Sequence, residues 1–343
     1  MQEKVALYFV ASPLQYLAAK RIAVSFEAGA RQIMVWYKPG VTPIVQAIDW
    51  DACAYMPWPR WEPLPGPFGR LRRQKSNIEQ IADLIGRCKI LHIHSAVFDS
   101  EAINYFLRAL PRRSGAEEMK ARILPDGIIS IRRYPLTLSK RLIQSIRKLR
   151  YLYDRELNYW CFSGDRIGSD APFCDRIYVL PGLPHEYPTD KVVNLPALVQ
   201  ASTNRQTAPP GQRRALVIGQ PLVGAGLMNA KDRDAVTIEI RNWLVNQGIN
   251  QTFYKGHPKD PQQELMHPDY EVITLDTPLE IHLSNTLYDA VVGVRSSALL
   301  FARQTSPETT QVVAFGWEKI NFKSDSEKNT MESAFDACGV QKV

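Results

Sequence analysis

The stretch "VQASTNRQTAPPGQRRALVIGQPL", residues 199–222, decides how this chain divides. Its first part, residues 199–214, is polar, rich in Thr and Pro, and shows neither a helical nor a strand period. It reads as an interdomain linker. The run that follows, "ALVIG", is short and aliphatic and closes on Gly-Gln-Pro-Leu, which is the pattern of a buried strand ending in a turn. A chain of 343 residues is longer than one ordinary core and suits two domains of about 150 residues. The expected organisation is therefore a first domain over residues 1–198, the linker 199–214, and a second domain over residues 215–343.

Strands and helices alternate on both sides of this linker. Residues 5–10 read as a buried strand, and Ser12 and Pro13 read as the N-cap and first turn of the helix that follows. Further strands are expected at 32–37, 89–94 and 121–124, with a short helix at 44–49 and a helix at 100–109. After the linker, a helix is expected at 231–247, strands at 252–255, 271–274, 290–294 and 311–315, and a helix at 324–337. Such alternation implies α/β architecture: parallel sheets with helices on both faces, here in two doubly wound, Rossmann-like domains facing each other across a cleft.

The composition is globular, with 45% hydrophobic and 22% charged residues, and the net charge of +7 favours anionic partners. The five cysteines are scattered without a CxxC pair or zinc spacing. They read as free thiols in a reducing compartment, most of them buried. The apolar run 5–11 is short, preceded by Glu3 and interrupted by Pro13 and Gln15, so it does not read as a signal peptide. No stretch reaches the roughly 18 uninterrupted apolar residues of a membrane span. The expected location is cytoplasmic.

The chemistry-bearing residues cluster just after the expected strands, where doubly wound folds hold their ligands. In "YKGHPKD", residues 254–260, Gly256 permits a turn and Pro258 biases His257 toward an extended backbone, while Lys255 and Lys259 suggest a nearby anion. An imidazole held in this way suits the binding or protonation of a phosphate near neutral pH. In "VRSSALL", Ser296 and Ser297 open a helix after a strand, which makes either an anion site or an ordinary N-cap. Arg295 adds charge there or points away. Gly219 closes the strand 215–219, and Gln220 follows it. In "ILPDGIIS", Asp126 is the best candidate for a base, although Pro-Asp-Gly is also an ordinary turn. His92 and His94 share one strand face and, if that face is buried, are hydrogen-bonded within it. No P-loop, GxGxxG or GxSxG motif is present, and no convincing Asp-x-Asp is found.

Together, Asp-Gly after a first-domain strand, His-Pro after a second-domain strand, and Ser-Ser at a later helix start resemble bacterial sialyltransferases of the GT-B fold. The similarity is to capsule polysialyltransferases and lipooligosaccharide sialyltransferases, and "SPLQYLAA" and "IGQPL" share in it. The resemblance implies an inverting, metal-independent glycosyltransferase without cofactor. It would move sialic acid or a related nonulosonic acid from a CMP-sugar donor to a hydroxyl of a glycan acceptor, lipid-linked or free, in a bacterial surface polysaccharide or lipooligosaccharide. Asp126 would deprotonate the acceptor, and His257 would bind and protonate the leaving phosphate. Ser296 and Ser297 would hold phosphate oxygens, and Gly219, Gln220, Gly256 and Pro258 would shape the nucleotide pocket. The chain departs from the family pattern at Pro125, which stands where the first of two acids is usual. A CMP-Kdo or legionaminic acid transferase fits the same donor motifs. A UDP-sugar GT-B enzyme is a second alternative, and a non-catalytic polyanion binder a third; no nucleic-acid motif is present.

Two basic stretches stand out. Residues 132–155 carry Arg132, Arg133, Lys140, Arg141, Arg147, Lys148, Arg150 and Arg155, with Leu138, Leu142, Ile146, Leu149 and Tyr153 at helical spacing. This is either a helix lying on an anionic membrane, making the protein peripheral to the inner face, or a surface helix whose apolar stripe packs on the core. The second stretch, Arg70, Arg72, Arg73 and Lys75, follows Trp58 and Trp61, which could stack on acceptor sugars, meet a membrane interface or pack the loop down. Trp58, Trp61, Arg132 and Arg133 are the expected acceptor or membrane contacts.

Overall fold

The computed structural model describes residues 2–127, 131–199, 205–257 and 260–343. The chain forms two compact units, one of Met1–Pro181 and His185–Leu198, the other of Gly182–Pro184 and Val199–Val343.

The first unit is built on strands β1 (Gln2–Val10), β2 (Arg31–Trp36), β3 (Ala52–Tyr55), β4 (Cys88–Ser95), β5 (Glu118–Ile123), β6 (Cys174–Val179) and β7 (Val192–Asn194). They form one sheet in the order β3-β2-β1-β4-β5-β6-β7, with every pair parallel. Helices α1 (Pro13–Ser25), α2 (Gly69–Ile85), α3 (Glu101–Ser114) and α4 (Leu138–Lys148) belong to the same unit. Strand β1 is apolar on both faces, as a central parallel strand must be. Val5, Leu7 and Phe9 enter one core with Ile81, Phe106 and Leu110 of α2 and α3. Ala6, Tyr8 and Val10 enter a second core with Tyr16, Ala19 and Ile22 of α1. Ser12 caps α1, its hydroxyl accepting from Gln15 N at 3.2 Å.

The α1 side of this sheet also holds a buried ion cluster. Glu27, just past the end of α1, is fully buried and accepts from Lys4 Nζ at 2.8 Å, His92 Nδ1 at 3.0 Å and the Arg122 guanidinium. His94 Nε2 lies 3.3 Å from the same carboxylate, and its ring stacks on Tyr8 at 4.4 Å. The face carrying His92 and His94 is thus buried, and both serve structure there. Arg122 extends the cluster to Asp175 Oδ2 at 2.8 Å.

The second unit holds β8 (Arg214–Ile218), β9 (Gln251–Lys255), β10 (Glu271–Val272), β11 (Ala290–Gly293), β12 (Gln311–Ala314) and β13 (Gln341–Lys342). The order is β10-β9-β8-β11-β12-β13, again all parallel. Helices α5 (Ala230–Asn246), α6 (Leu279–Asn285), α7 (Ser297–Thr305) and α8 (Asp325–Ala337) connect them. Both sheets start in the middle, run outward one way, then return and run outward the other way. The reversal leaves a crevice at the carboxyl ends of β1 and β4 in one unit, and of β8 and β11 in the other.

Several expectations are corrected. The segment expected to form a helix at 44–49 instead holds two short 3-10 turns, Pro39–Ile44 and Ala47–Asp49, separated by the extended residues Val45 and Gln46. Only Cys88 and Cys174 of the five cysteines are buried; Cys161 is exposed, in an irregular segment between α4 and β6. Part of the stretch read as linker is bonded into the second unit. Gln206 donates its N–H to Asn285 O at 2.8 Å and accepts from Leu287 N at 2.9 Å.

Candidate active site

Three adjacent strands of the second unit, β9, β8 and β11, end side by side. The register pairs Ile218 with Lys255 and Ala290, Val291 and Val292 with Ala215, Leu216 and Val217. The loops carrying Gln220, His257 and Ser296 therefore leave the sheet at one edge, on both sides of the reversal point. The Gln220 side chain bridges that point: its Oε1 accepts the backbone N–H of Arg295 at 3.1 Å.

Ser296 is the N-cap of α7, its hydroxyl oxygen accepting from Ala298 N at 3.3 Å. The ordinary capping role is thus present, yet the hydroxyl hydrogen is not used by it and can be donated outward. Ser297 is the first residue of the helix and is partly buried. The helix start adds partial positive charge at this spot. Arg295 points away from it, donating to Glu327 Oε1 at 3.1 Å and lying 5.3 Å over the Phe322 ring.

His257 is solvent-exposed, and its carbonyl accepts from Asp260 N at 2.9 Å. Pro258 and Lys259 lie outside the described residues. Gly256 does not adopt the left-handed conformation, and an added Cβ there would meet only Tyr254 Cε1 at 3.7 Å. The freedom of glycine expected at this turn is not used. Lys255 donates to Gly256 O at 2.9 Å, and burial lowers its pKa. Gly219 is required for packing: a Cβ there would collide with the Tyr254 hydroxyl and come within 2.8 Å of its Cζ.

Sequence reasoning missed the residue that shapes this edge. The Glu264 carboxylate accepts from Leu222 N at 2.9 Å, Val223 N at 2.6 Å and Gly224 N at 3.0 Å, and so holds the loop after β8. The Glu264 amide in turn donates to Asp260 Oδ2 at 2.9 Å. The loops after β8 and β9 are thereby tied together. Glu280, in the first turn of α6, was also missed. Burial raises its pKa, and it forms no ion pair among the described residues. An acid in the first turn of a helix, two residues after Pro278, is the sequence signal that could have found it.

In the first unit, Asp126 follows β5 and is partly buried. Gly127 beside it has a φ of +59°, so this turn does need glycine. Burial and then the charge of Asp126 push the Tyr37 phenol above its usual range. Tyr37 follows β2 and stacks on Trp58 at 4.5 Å, and Trp58 meets the exposed Trp61 at 5.9 Å. Asp126 therefore has an aromatic surface within electrostatic reach, which the expected pairing of Trp58 and Trp61 alone did not include. Arg133 is tied internally, to the Asp170 carboxylate and to Asp165 Oδ2 at 3.6 Å. The Arg132 guanidinium lies 5.7 Å over the Tyr134 ring. Among the described residues, no group of three His, Cys, Asp or Glu side chains is arranged to hold a metal ion.

Two parallel units of this topology define the class: the fold is that of GT-B glycosyltransferases. A crystal structure of an alpha/beta-galactoside alpha-2,3-sialyltransferase from Photobacterium phosphoreum superposes with a TM-score of 0.60 at 14% identity, covering 100% of this chain and 99% of that one. A structure assigned as a UDP-N-acetylglucosamine 2-epimerase from Listeria monocytogenes superposes with a TM-score of 0.50 at 10% identity, covering 99% and 89%. At such identities these likenesses show the fold. No curated protein matches the chain in sequence.

Residues 185–314 match the family model of alpha-2,8-polysialyltransferases. That stretch contains Gln220, His257, Ser296 and Ser297, while Asp126 lies outside it. Over that stretch the chain is similar to this family, and over its whole length its fold is similar to that of the sialyltransferase above.

Proposed function

We propose that the protein transfers sialic acid or a related nonulosonic acid from a CMP-sugar to a glycan hydroxyl, with inversion and without a metal. The acceptor belongs to a bacterial surface polysaccharide or lipooligosaccharide and is lipid-linked, and the enzyme works at the inner membrane face. The observation that carries this reading is the placement of Gln220, His257, Ser296 and Ser297 at the ends of three adjacent strands, inside the stretch that matches the polysialyltransferase model.

In this reading the acceptor oxygen attacks the anomeric carbon as its proton passes to Asp126. The bond from that carbon to the CMP phosphate oxygen breaks, and its electron pair leaves with CMP. The departing phosphate gains negative charge, and His257 donates a proton or a hydrogen bond to it. Ser296 and Ser297 donate their hydroxyl hydrogens, backed by the amino end of α7. Gln220 holds the α7 loop in register with β8, while Gly219, Gly256 and Pro258 shape the nucleotide pocket. Tyr37, Trp58 and Trp61 offer faces on which an acceptor sugar can stack.

Thermal melting with CMP, CDP, UMP and UDP, on wild type and His257→Ala, tests the assignment. CMP at a hundred times its dissociation constant stabilises by about 2.7 kcal/mol. The expected result is a rise selective for cytidine nucleotides that the variant loses. An equal rise with UDP would favour a UDP-sugar enzyme of the same fold. A rise only with single-stranded DNA at low salt would favour a polyanion binder. A CMP rise with turnover of another CMP-sugar would place the protein among Kdo or legionaminic acid transferases.

A further inference from the structure

Helix α4 is amphipathic in the inverse sense. Its polar face packs on the protein. Gln144 is buried, donates to Asp99 Oδ1 at 3.2 Å and accepts from Phe162 N at 3.2 Å. Arg147 donates to Asp99 O at 3.3 Å and pairs with Glu101 Oε2 at 3.3 Å, and Arg150 pairs with Glu101 as well. The apolar face looks outward: Leu138 is 83% exposed, Leu142 63%, Ile146 54% and Leu149 62%. These are the residues that one sequence reading placed on the core. The stripe continues through Leu152 in the 3-10 turn Leu149–Leu152 to Tyr153, whose ring meets the exposed Phe68 at 5.5 Å. Lys75 binds Asp154 Oδ2 at 3.0 Å, so the two basic stretches of the sequence form one surface.

An exposed aliphatic stripe of this length is not required by the fold and marks an interaction surface. Its borders are cationic. Residues 138–153 contain no Asp or Glu. Arg141 and Lys148 are exposed and have no acidic partner among the described residues, and Arg70 stands exposed beside Phe68. A second copy would bring this stripe against itself, like charge against like. An anionic lipid surface satisfies both parts, taking the leucines into the acyl boundary and the cations onto phosphate headgroups. No described helix is long and apolar enough to cross a membrane.

We propose that α4 and the turn after it, extended by Phe68, form an interfacial anchor that docks the first unit on an anionic bilayer. This rests on the reading above that the acceptor is held at a membrane, and it names the surface that makes the contact. The test is co-flotation of the full chain with vesicles of phosphatidylcholine alone or mixed with phosphatidylglycerol, without donor or acceptor. The expected result is binding to the mixed vesicles that high salt weakens. Replacing Arg141 and Lys148 with Ala should weaken it roughly 25-fold. Leu142→Ser with Ile146→Ser should weaken it at least about tenfold. These side chains are exposed, so the melting temperature should hold in both variants.

Equal binding to both vesicle types, or binding indifferent to the leucine variants, would overturn the proposal. So would a concentration-dependent dimer that the same variants dissolve, which would assign the stripe to a second copy. Because no nucleotide is present, failure here leaves the CMP melting result standing, and failure of the CMP result leaves vesicle binding standing.

Discussion

Gln220 and Arg295 are 75 positions apart in sequence, yet the Gln220 side chain accepts the Arg295 backbone N–H at 3.1 Å. That bond spans the place where the strand order of the second sheet reverses, and it fixes the start of the loop carrying Ser296 and Ser297. Gln220→Ala leaves the amide without its partner, at a cost of about 1–3 kcal/mol. Urea melts should show this loss, and the CMP-induced rise should shrink beyond what the lower stability explains.

Ser296 separates a cap from a ligand. Ser296→Asp keeps a strong N-cap acceptor but sets a negative charge where the phosphate is proposed to lie. Stability should stay within about 1 kcal/mol of wild type, while CMP binding should be lost. Retained CMP binding in Ser296→Asp would reduce Ser296 to a cap.

Gly219 should be intolerant for a packing reason. A Cβ there meets Tyr254 Cζ at 2.8 Å, so Gly219→Ala should cost about 1–3 kcal/mol. Adding Tyr254→Phe removes the colliding hydroxyl and should restore part of the stability in denaturant melts. No restoration would locate the constraint at the ring itself and at the Lys255 carbonyl, 3.1 Å from that Cβ.

Asp126→Asn should leave the CMP-induced melting shift unchanged and lower kcat by about 100-fold or more, as loss of a general base does. Steady-state kinetics with CMP-sugar and acceptor check this. An unchanged kcat would move the base elsewhere and leave Asp126 as a turn residue beside Gly127.

Stability should fall in two steps on acidification. Burial holds the His94 imidazole below its ordinary 6.5. The unfolded chain therefore takes up a proton below that pH that the folded one refuses, and stability declines as pH drops past 6.5. Burial pushes the Glu27 carboxyl up, but hydrogen bonds from His92, His94 and Lys4 outweigh it and hold the group well below its ordinary 4.5. The unfolded carboxyl protonates first, so a second loss sets in as pH falls through 4.5. Above both values the contribution is complete. Glu27→Gln should remove the lower step and cost about 3–5 kcal/mol at neutral pH, since it leaves buried Arg122 short of a counter-charge. Denaturant melts across pH read both.

The legible parts of the molecule were those where a local signal and the tertiary need coincide. The apolar run of β1, the Ser12 cap and the strands β8 and β9 could be placed because burial on both faces demands unbroken aliphatic runs and helices demand caps. Helix α2 was not placed, because Arg70–Lys75 drew attention as charge while Ile78, Ile81 and Ile85 carry its buried side. Strands β3 and β7 have four and three residues, too short for a period to show.

The amino-acid sequence by itself determined the α/β alternation, the two-part division and the set of residues at strand ends. These depend on spacing within a few residues. Only the tertiary structure decided which strands lie side by side, and hence that Gln220, His257 and Ser296 share one edge. It also decided that Arg295 turns to Glu327, and that α4 shows its leucines outward. The pattern of α4 is equally amphipathic in either orientation. The choice was made by Asp99 and Glu101, whose buried and partly buried carboxylates needed Gln144, Arg147 and Arg150 more than the core needed another stripe of leucine.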